Sequence, residues 1–165
     1  MKTPGLYPDA QDFVSALAKP FDSDPGSKVV APFGIAWSDG VKLDRDIEVY
    51  HIQATPLGLS LTFENAHRLF EKQYPRPNGA PCLMTNCGFW GHEAEYESYK
   101  GPLWKDLRFS DTVEGAVRKL GEPTRIGRYD IHIWELADFR LTIHWKSPGK
   151  VRVVSYWMKQ DAVAR

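Results

Sequence analysis

The chain matches itself when it is shifted by 46 positions, and this internal repeat restricts its fold more than any other feature. The match aligns residues 50–78 with residues 96–124 without a gap and contains 6 identities in 29 positions. The identical pairs are Tyr50 and Tyr96, Pro56 and Pro102, Leu57 and Leu103, Leu61 and Leu107, Phe63 and Phe109, and Pro77 and Pro123. Internal repeats are typical of related units that stack side by side. The repeat predicts one compact domain over residues 1–165 and allows its division into two fused units, 1–78 and 79–165.

The spacing of apolar residues predicts an α+β fold. Apolar residues at every second position from 57 to 63 predict a strand, and Asn65 can cap the helix that follows. Apolar residues three or four apart between 113 and 120 predict a second helix, with Asp111 and Glu114 as a capping box and Gly121 at its end. Alternation over 131–134, 141–144 and 151–156, with a turn at 147–150, predicts a C-terminal β-meander. Short helices followed by an antiparallel sheet indicate two helix-plus-sheet units that can share one sheet.

Other segments give shorter patterns. Residues 8–17 predict a helix that ends before Pro20, and residues 22–26 predict a loop. Short strands are expected over 29–49, followed by a clearer strand at 47–52. Residues 75–92 are rich in Pro, Gly, Asn and Cys, and this composition predicts a long loop.

The charge composition weighs against a nucleic-acid-binding protein. Lys and Arg number 21 and Asp and Glu also number 21, whereas nucleic-acid-binding domains usually carry a basic excess. The balance conceals an asymmetry, because residues 118–165 hold 10 basic and 5 acidic residues and residues 1–117 hold 11 and 16. The two parts either form faces of opposite charge or neutralise each other on folding.

The sequence predicts a cytoplasmic protein that does not enter a membrane. Residues 1–8 show neither the apolar core nor the cleavage site of a signal peptide, and no apolar run reaches the roughly 20 residues that span a bilayer. Cysteines in such a compartment are usually reduced. Cys82, Cys87 and His92 could contribute to a zinc site, or the cysteines could pair, but the spacing of the cysteines favours plain structural residues over either alternative.

A longer segment resembles a known kind of protein. Gly101, Leu107 and Phe109 lie in segment 99–112, which precedes the helix predicted over 113–120. That helix ends at Leu120-Gly121-Glu122-Pro123, and Trp134 and residues 140–143 follow it. This order over residues 96–157 resembles small immunity proteins of bacterial polymorphic and secreted toxin systems. It is also similar to the module of β-lactamase-inhibitor-like and outer-membrane-assembly lipoprotein domains. The resemblance implies a cytosolic immunity protein that binds a cognate toxin and occludes its active site.

The segment 88–97 is the predicted surface for such a partner. Glu93, Glu95 and Glu97 alternate along the chain, and on a strand they would line one face about 7 Å apart. That row would complement a basic patch on a toxin, form a solvated face whose charges prevent aggregation, or contribute to a metal site together with another segment. Phe89 and Trp90 are the predicted aromatic anchors, unless their loop folds back as a lid.

A second hypothesis places a small-molecule pocket, or an enzyme site, near Trp134. His132 and His144 are expected to share its face once their strands pair. The chain contains no G-x-S-x-G, Walker or H-E-x-x-H motif, and its Cys and His residues are isolated in sequence. We therefore expect a non-catalytic protein without a metal or a cofactor. A structural adaptor within a secretion machine is a third hypothesis.

Overall fold

A single antiparallel sheet organises the molecule. The computed structural model describes residues 7–34 and 49–160. The strands are β1 (Val49–Ala54), β2 (Leu59–Asn65), β3 (Cys82–Trp90), β4 (Arg125–Ile126), β5 (Ile131–Glu135), β6 (Phe139–Ser147) and β7 (Lys150–Met158). The helices are α1 (Ala10–Ala16), α2 (Asp24–Val30), α3 (Ala66–Leu69) and α4 (Val113–Leu120). The predicted α+β class is confirmed.

The sheet consists of two meanders joined by one long-range pairing. Its spatial order is β1-β2-β3-β7-β6-β5-β4, and every neighbouring pair is antiparallel. The predicted C-terminal meander is confirmed as β5, β6 and β7. Gly149 has a φ of 80° in the turn between β6 and β7, which is the conformation expected after Pro148 in a turn of this kind.

One face of the sheet carries the core. Strand register places Leu61, Cys87, Tyr156, Leu141 and Trp134 opposite one another in a row across five strands, and all five are buried. The helices and the segment before α4 cover this row. Ring contacts join Phe13 to Phe89 at 4.9 Å, Phe21 to Phe63 at 5.3 Å and Trp104 to Phe139 at 4.9 Å. Aromatic pairs at these distances stabilise a core beyond their buried area.

The opposite face, called the open face below, carries mainly polar residues. Its residues include Gln53, Ser60, Thr62, Asn86, Gly88, Trp90, Ser155, Trp157, Thr142, Arg140, His144, Ile133 and Glu135. These residues alternate with the core-facing residues because successive side chains of a strand point to opposite sides. The sheet is therefore apolar on one side and polar on the other.

Helix α4 forms as predicted, but its cap lies one residue later. The Thr112 side chain, not that of Asp111, accepts the Gly115 amide at 3.0 Å. Asp111 instead accepts the Arg108 amide at 2.8 Å and pairs with Lys119 at 2.8 Å. The helix ends at Gly121, whose φ is 84°. The predicted Asn65 cap of α3 is confirmed, because its side chain accepts the His67 amide at 2.9 Å.

Two predicted segments are wrong. Residues 24–30 form α2, capped by Ser23, where a loop and a strand were expected; residues 35–48 of the predicted strands lie outside the described residues. Residues 82–90 form β3 in the interior of the sheet, where a long loop was expected. A bulge next to Thr85 shifts the alternation of buried residues, and Gly88 leaves space for Ser60, whose Oγ would lie 2.6 Å from an added Cβ. Glycine and polar residues therefore fit a strand here.

The sequence repeat corresponds to a shared helix but not to shared strands. Both matching segments contain a short helix, α3 in the first and α4 in the second. Leu61 and Phe63 lie in β2, whereas their counterparts Leu107 and Phe109 precede α4 outside any strand. The sheet also crosses the proposed boundary between residues 78 and 79, because β2 pairs with β3. The division into two related units stays a prediction.

Lys105 offers a test of local backbone strain. It is exposed and has φ 52° and ψ 38°, the left-handed region that non-glycine residues adopt at a cost. We expect Lys105→Gly to raise the free energy of unfolding by about 0.5–1 kcal/mol, since glycine adopts this conformation freely. Urea denaturation would measure the change. Lys105→Ala keeps the strain and should give no gain; equal stabilisation by both variants would contradict the explanation.

Candidate protein-binding face

Phe89 cannot act as a surface anchor, although it was predicted to do so. Its side chain is fully buried on the core face of β3. It contacts the rings of Phe13, Tyr99 and Tyr156, with centroid distances between 4.7 and 4.9 Å. Phe89 is therefore a central core residue.

Trp90 lies on the opposite side of the sheet and is half-buried. Its indole nitrogen donates to Ser60 Oγ at 3.0 Å. The Tyr96 ring stacks on the indole with a centroid distance of 4.5 Å and an interplanar angle of 10°. The segment after β3 thus folds back over Trp90, whereas Trp90 itself belongs to a strand and not to the loop that was predicted to form a lid.

The three glutamates do not form a row on a strand, and that prediction is wrong. Residues Glu93 and Tyr96 close a tight turn, with backbone hydrogen bonds of 3.2 and 3.0 Å between them. The chain leaves the sheet at Gly91, where a side chain would lie 2.8 Å from the Val151 carbonyl oxygen. Glu95 and Glu97 are exposed, and Glu93 points back to the sheet.

Glu93 fixes this turn to the end of the sheet by charge. Its Oε1 atom lies 3.2 Å from Lys146 Nζ and 3.4 Å from Arg152 Nε. Neither contact is aligned as a hydrogen bond, so the attraction is coulombic. The side chain is 20% exposed, which leaves these charges only partly screened by water.

The predicted pocket residues do not share a face. His132 and Trp134 point to the core, because His132 lies opposite Ile143 and Trp134 opposite Leu141. His144 lies opposite Ile131 and therefore points to the other side. The two core residues are already engaged: Trp134 Nε1 donates to the Gly121 carbonyl at 2.9 Å, and His132 Nδ1 accepts from Trp145 Nε1 at 3.0 Å.

The two cysteines are free and buried on β3. Burial raises the pKa of the Cys82 thiol to about 11 and raises that of Cys87 further, so both thiols are protonated at neutral pH. Within residues 7–34 and 49–160, His, Cys, Asp and Glu side chains do not gather in a group of three that could hold a metal ion. The helices of the same residues are all too short or too polar to cross a membrane.

Trp157 is the most prominent side chain of the open face. It lies on β7, the fourth of the seven strands, and 40% of its surface is exposed. Its indole nitrogen donates to Thr142 Oγ1 at 3.0 Å, which holds the ring against the sheet. Arg140 and Asn86 flank it on the neighbouring strands. A fixed, half-exposed indole beside an arginine has the composition of a protein-binding hot spot.

Two charge clusters lie at different distances from Trp157: one is level with it on β5 and β6, and the other is at the opposite end of β6 and β7. In the first, Glu135 Oε1 lies 2.6 Å from Arg140 Nε and 3.9 Å from Arg125. In the second, Glu93 is shared by Lys146 and Arg152. Four cations against two carboxylates leave a net charge of +2.

The charge asymmetry of the sequence is present in the sheet. Strands β4 to β7 come from the basic part of the chain and lie together, whereas β1 to β3 come from the acidic part and form the other side. The two parts thus occupy different halves of the sheet. The two parts also neutralise each other in places, because Glu93 pairs with Lys146 and Arg152, and Asp111 pairs with Lys119.

Sequence reasoning overlooked Trp157 and Arg140. The available signal was the alternation along β7. Trp157 lies two residues after Ser155, so the two side chains share a face of the strand, and a face with a polar residue is expected to be exposed.

Comparisons of the chain with protein-family models, with curated proteins and with solved structures found no match.

The Glu93 contacts predict a measurable contribution to stability. Glu93→Gln leaves Lys146 and Arg152 close together without their counter-charge, and we expect a loss of about 1 kcal/mol in unfolding free energy. Added salt should reduce the difference between variant and wild type, because it screens the charges. Urea denaturation at two salt concentrations would measure this. Glu95→Gln, at the exposed tip of the same turn, is the matched control and should change little.

His144 predicts a dependence of stability on pH. Burial and the nearby Arg152 hold its pKa below the ordinary value of 6.5. The unfolded chain therefore binds this proton at a higher pH than the folded chain, and stability is lost as pH falls below about 6.5. We expect His144→Gln to lose less unfolding free energy than wild type between about pH 7 and pH 5. Parallel pH profiles for the two proteins would contradict this.

Proposed function

We propose that this chain is a cytoplasmic, non-catalytic immunity protein that binds a cognate secreted bacterial toxin and occludes its active site. The sequence pattern over residues 96–157 supports the proposal by its resemblance to such proteins. The single observation that carries it is Trp157, a half-exposed indole held rigidly on the central strand of the open face. Rigid aromatic residues bind partners with little loss of conformational entropy.

The charges of the open face indicate which kind of toxin surface it fits. The predicted row of glutamates would have required a basic partner, but Glu93 is occupied by Lys146 and Arg152. The cluster of Glu135, Arg125 and Arg140 level with Trp157, and the Glu93 cluster at the other end of β7, each carry an excess positive charge. An acidic toxin surface with an apolar centre would be complementary, and its association should weaken as salt increases.

The proposal can be tested without knowledge of the toxin. The gene is deleted from the strain that encodes it, and the deletion strain is grown in competition with its parent. We expect the deletion strain to be killed and to survive when the chain is supplied in trans. The chain, purified from the same cells, should recover one toxin-like protein that is lethal when expressed alone.

Two outcomes would overturn the proposal. The first is a deletion strain that competes as well as its parent. The second is recovery of constitutive components of a secretion machine, whether or not a toxin gene is present, which would favour the structural adaptor instead.

Trp157 gives the sharpest prediction for the interface. We expect Trp157→Ala to weaken toxin binding by roughly 30-fold, or about 2 kcal/mol, because a central hot-spot ring is lost. Trp157→Phe retains an aromatic ring and should lose less. Calorimetric titration of the recovered toxin measures the affinity, and near-ultraviolet circular dichroism checks the fold. Wild-type affinity in a folded Trp157→Ala variant would remove this face from the interface.

A further inference from the structure

The most exposed apolar side chains of the described residues lie on one hairpin outside the centre of the open face. Ile126 is 62% exposed and Tyr129 is 88% exposed. Ile126 ends β4 and Tyr129 lies in the connection from β4 to β5; Arg125, Arg128 and Asp130 of the same segment are also exposed. The segment 125–131, called the tip hairpin below, therefore projects large side chains away from the body of the protein. Exposed apolar side chains that lie close together often mark a site of contact with another protein.

The backbone of the tip hairpin is strained where the tyrosine stands. Tyr129 has φ 59° and ψ 36°, and Asp130 has φ 56°. Consecutive left-handed residues would be more favourable as glycine, yet a tyrosine and an aspartate stand here, as Lys105 and Asp106 do before α4. Strain of this kind occurs at functional sites, where a particular side chain is presented. Tyr129 thus occupies a position that its own backbone disfavours.

The stem holds this strained tip in a fixed orientation. The Gly127 amide donates to the Ile131 carbonyl at 2.7 Å, and the Thr124 amide donates to the Ile133 carbonyl at 2.8 Å. The Glu135 amide donates to Thr124 Oγ1 at 2.9 Å. A preorganised loop loses little conformational entropy when it binds.

The tip hairpin is continuous with the open face. Arg125 lies opposite Ile133, which belongs to the same row as Thr142 and Ser155. Ile126 lies opposite His132 and therefore points to the other side of the sheet, so of these two β4 residues only Arg125 faces a partner that covers Trp157. A partner that contacts both Arg125 and Ile126 would have to surround the hairpin from two sides, as a cleft does.

We propose that the tip hairpin inserts into the active-site cleft of the toxin, with Tyr129 as the plug. This inference rests on the proposed function. The cleft would need an apolar wall for Ile126 and the tyrosine ring, and a polar group that pairs with the phenol hydroxyl. Arg128, next to the plug, would face an acidic group of the cleft.

The experiment uses the deletion strain and its parent in competition. The deletion strain receives the wild-type chain, the double variant Ile126→Ser/Tyr129→Ala, or Tyr129→Phe. Tyr74→Ala is the matched control, because Tyr74 is a partly exposed tyrosine in the loop after α3, on the β1–β3 half of the sheet. We expect the double variant to lower survival by at least about tenfold, Tyr129→Phe to lower it less, and the control to protect fully.

Folding and assembly are measured on the same proteins. The thermal midpoint of the double variant should remain near that of the wild type, because both side chains are exposed. Light scattering after gel filtration gives the mass of each protein. A wild-type dimer that becomes a monomer in the double variant would show that the tip hairpin contacts a second copy, and this would overturn the inference.

The remaining outcomes separate this inference from the proposed function. If the wild type protects and the folded double variant protects equally, the plug is wrong and the immunity function stands. If the wild type gives no protection, the proposed function fails and the plug fails with it. Loss of protection in the folded double variant, with full protection by the wild type and by the control, supports both the immunity function and the insertion of the tip hairpin.

Discussion

The pairing of β3 with β7 is the interaction on which the rest of the structure depends. It joins two meanders that are each continuous in sequence, and it places Cys87 opposite Tyr156 and Phe89 opposite Val154. Without this pairing, β1 to β3 would form one small sheet and β4 to β7 another. A three- or four-stranded sheet of this length needs an apolar cover to be stable. The shared sheet allows one set of helices to cover both.

The same pairing determines the two surfaces of the sheet. On the core side it brings Phe89 and Tyr156 together beneath α1 and the segment before α4, where the Trp104 amide donates to the Tyr156 hydroxyl at 2.8 Å. On the other side it places Trp157 next to Asn86 and Ser155 next to Gly88. The open face therefore exists because the register of β3 with β7 aligns polar residues from distant parts of the chain on the same side of the sheet.

Local signals made part of the fold predictable. The meander and α4 were found because their periodicity, the Pro148–Gly149 turn and the residues near Thr112 all act within a few positions of the chain. Strand β3 was missed because the bulge at Thr85 shifts its alternation and because Gly88 is needed by a side chain of another strand. The sequence of β3 alone does not show the bulge or the need for glycine; both become evident only when β2 is known to pair with it.

The candidate site was less predictable, because it depends on register and on contacts between distant segments. The alternation of His132 and Trp134 was read correctly, but their side of the sheet depends on pairing with β6. The glutamates were placed on a strand because nothing in their own sequence shows that the chain turns away at Gly91. Their sequence also does not show that Lys146 and Arg152 lie beside Glu93.

The β3–β7 pairing also has a consequence for how the chain folds. The Asn86 side chain donates to the Tyr156 carbonyl across a separation of 70 residues. Loops of that length close slowly, and non-local strand pairs form late in folding. On the ribosome, β3 is synthesised well before β7, so its unpaired backbone groups are exposed during the interval. During that interval the β3 edge can pair with another chain, so association of nascent copies competes with the pairing to β7.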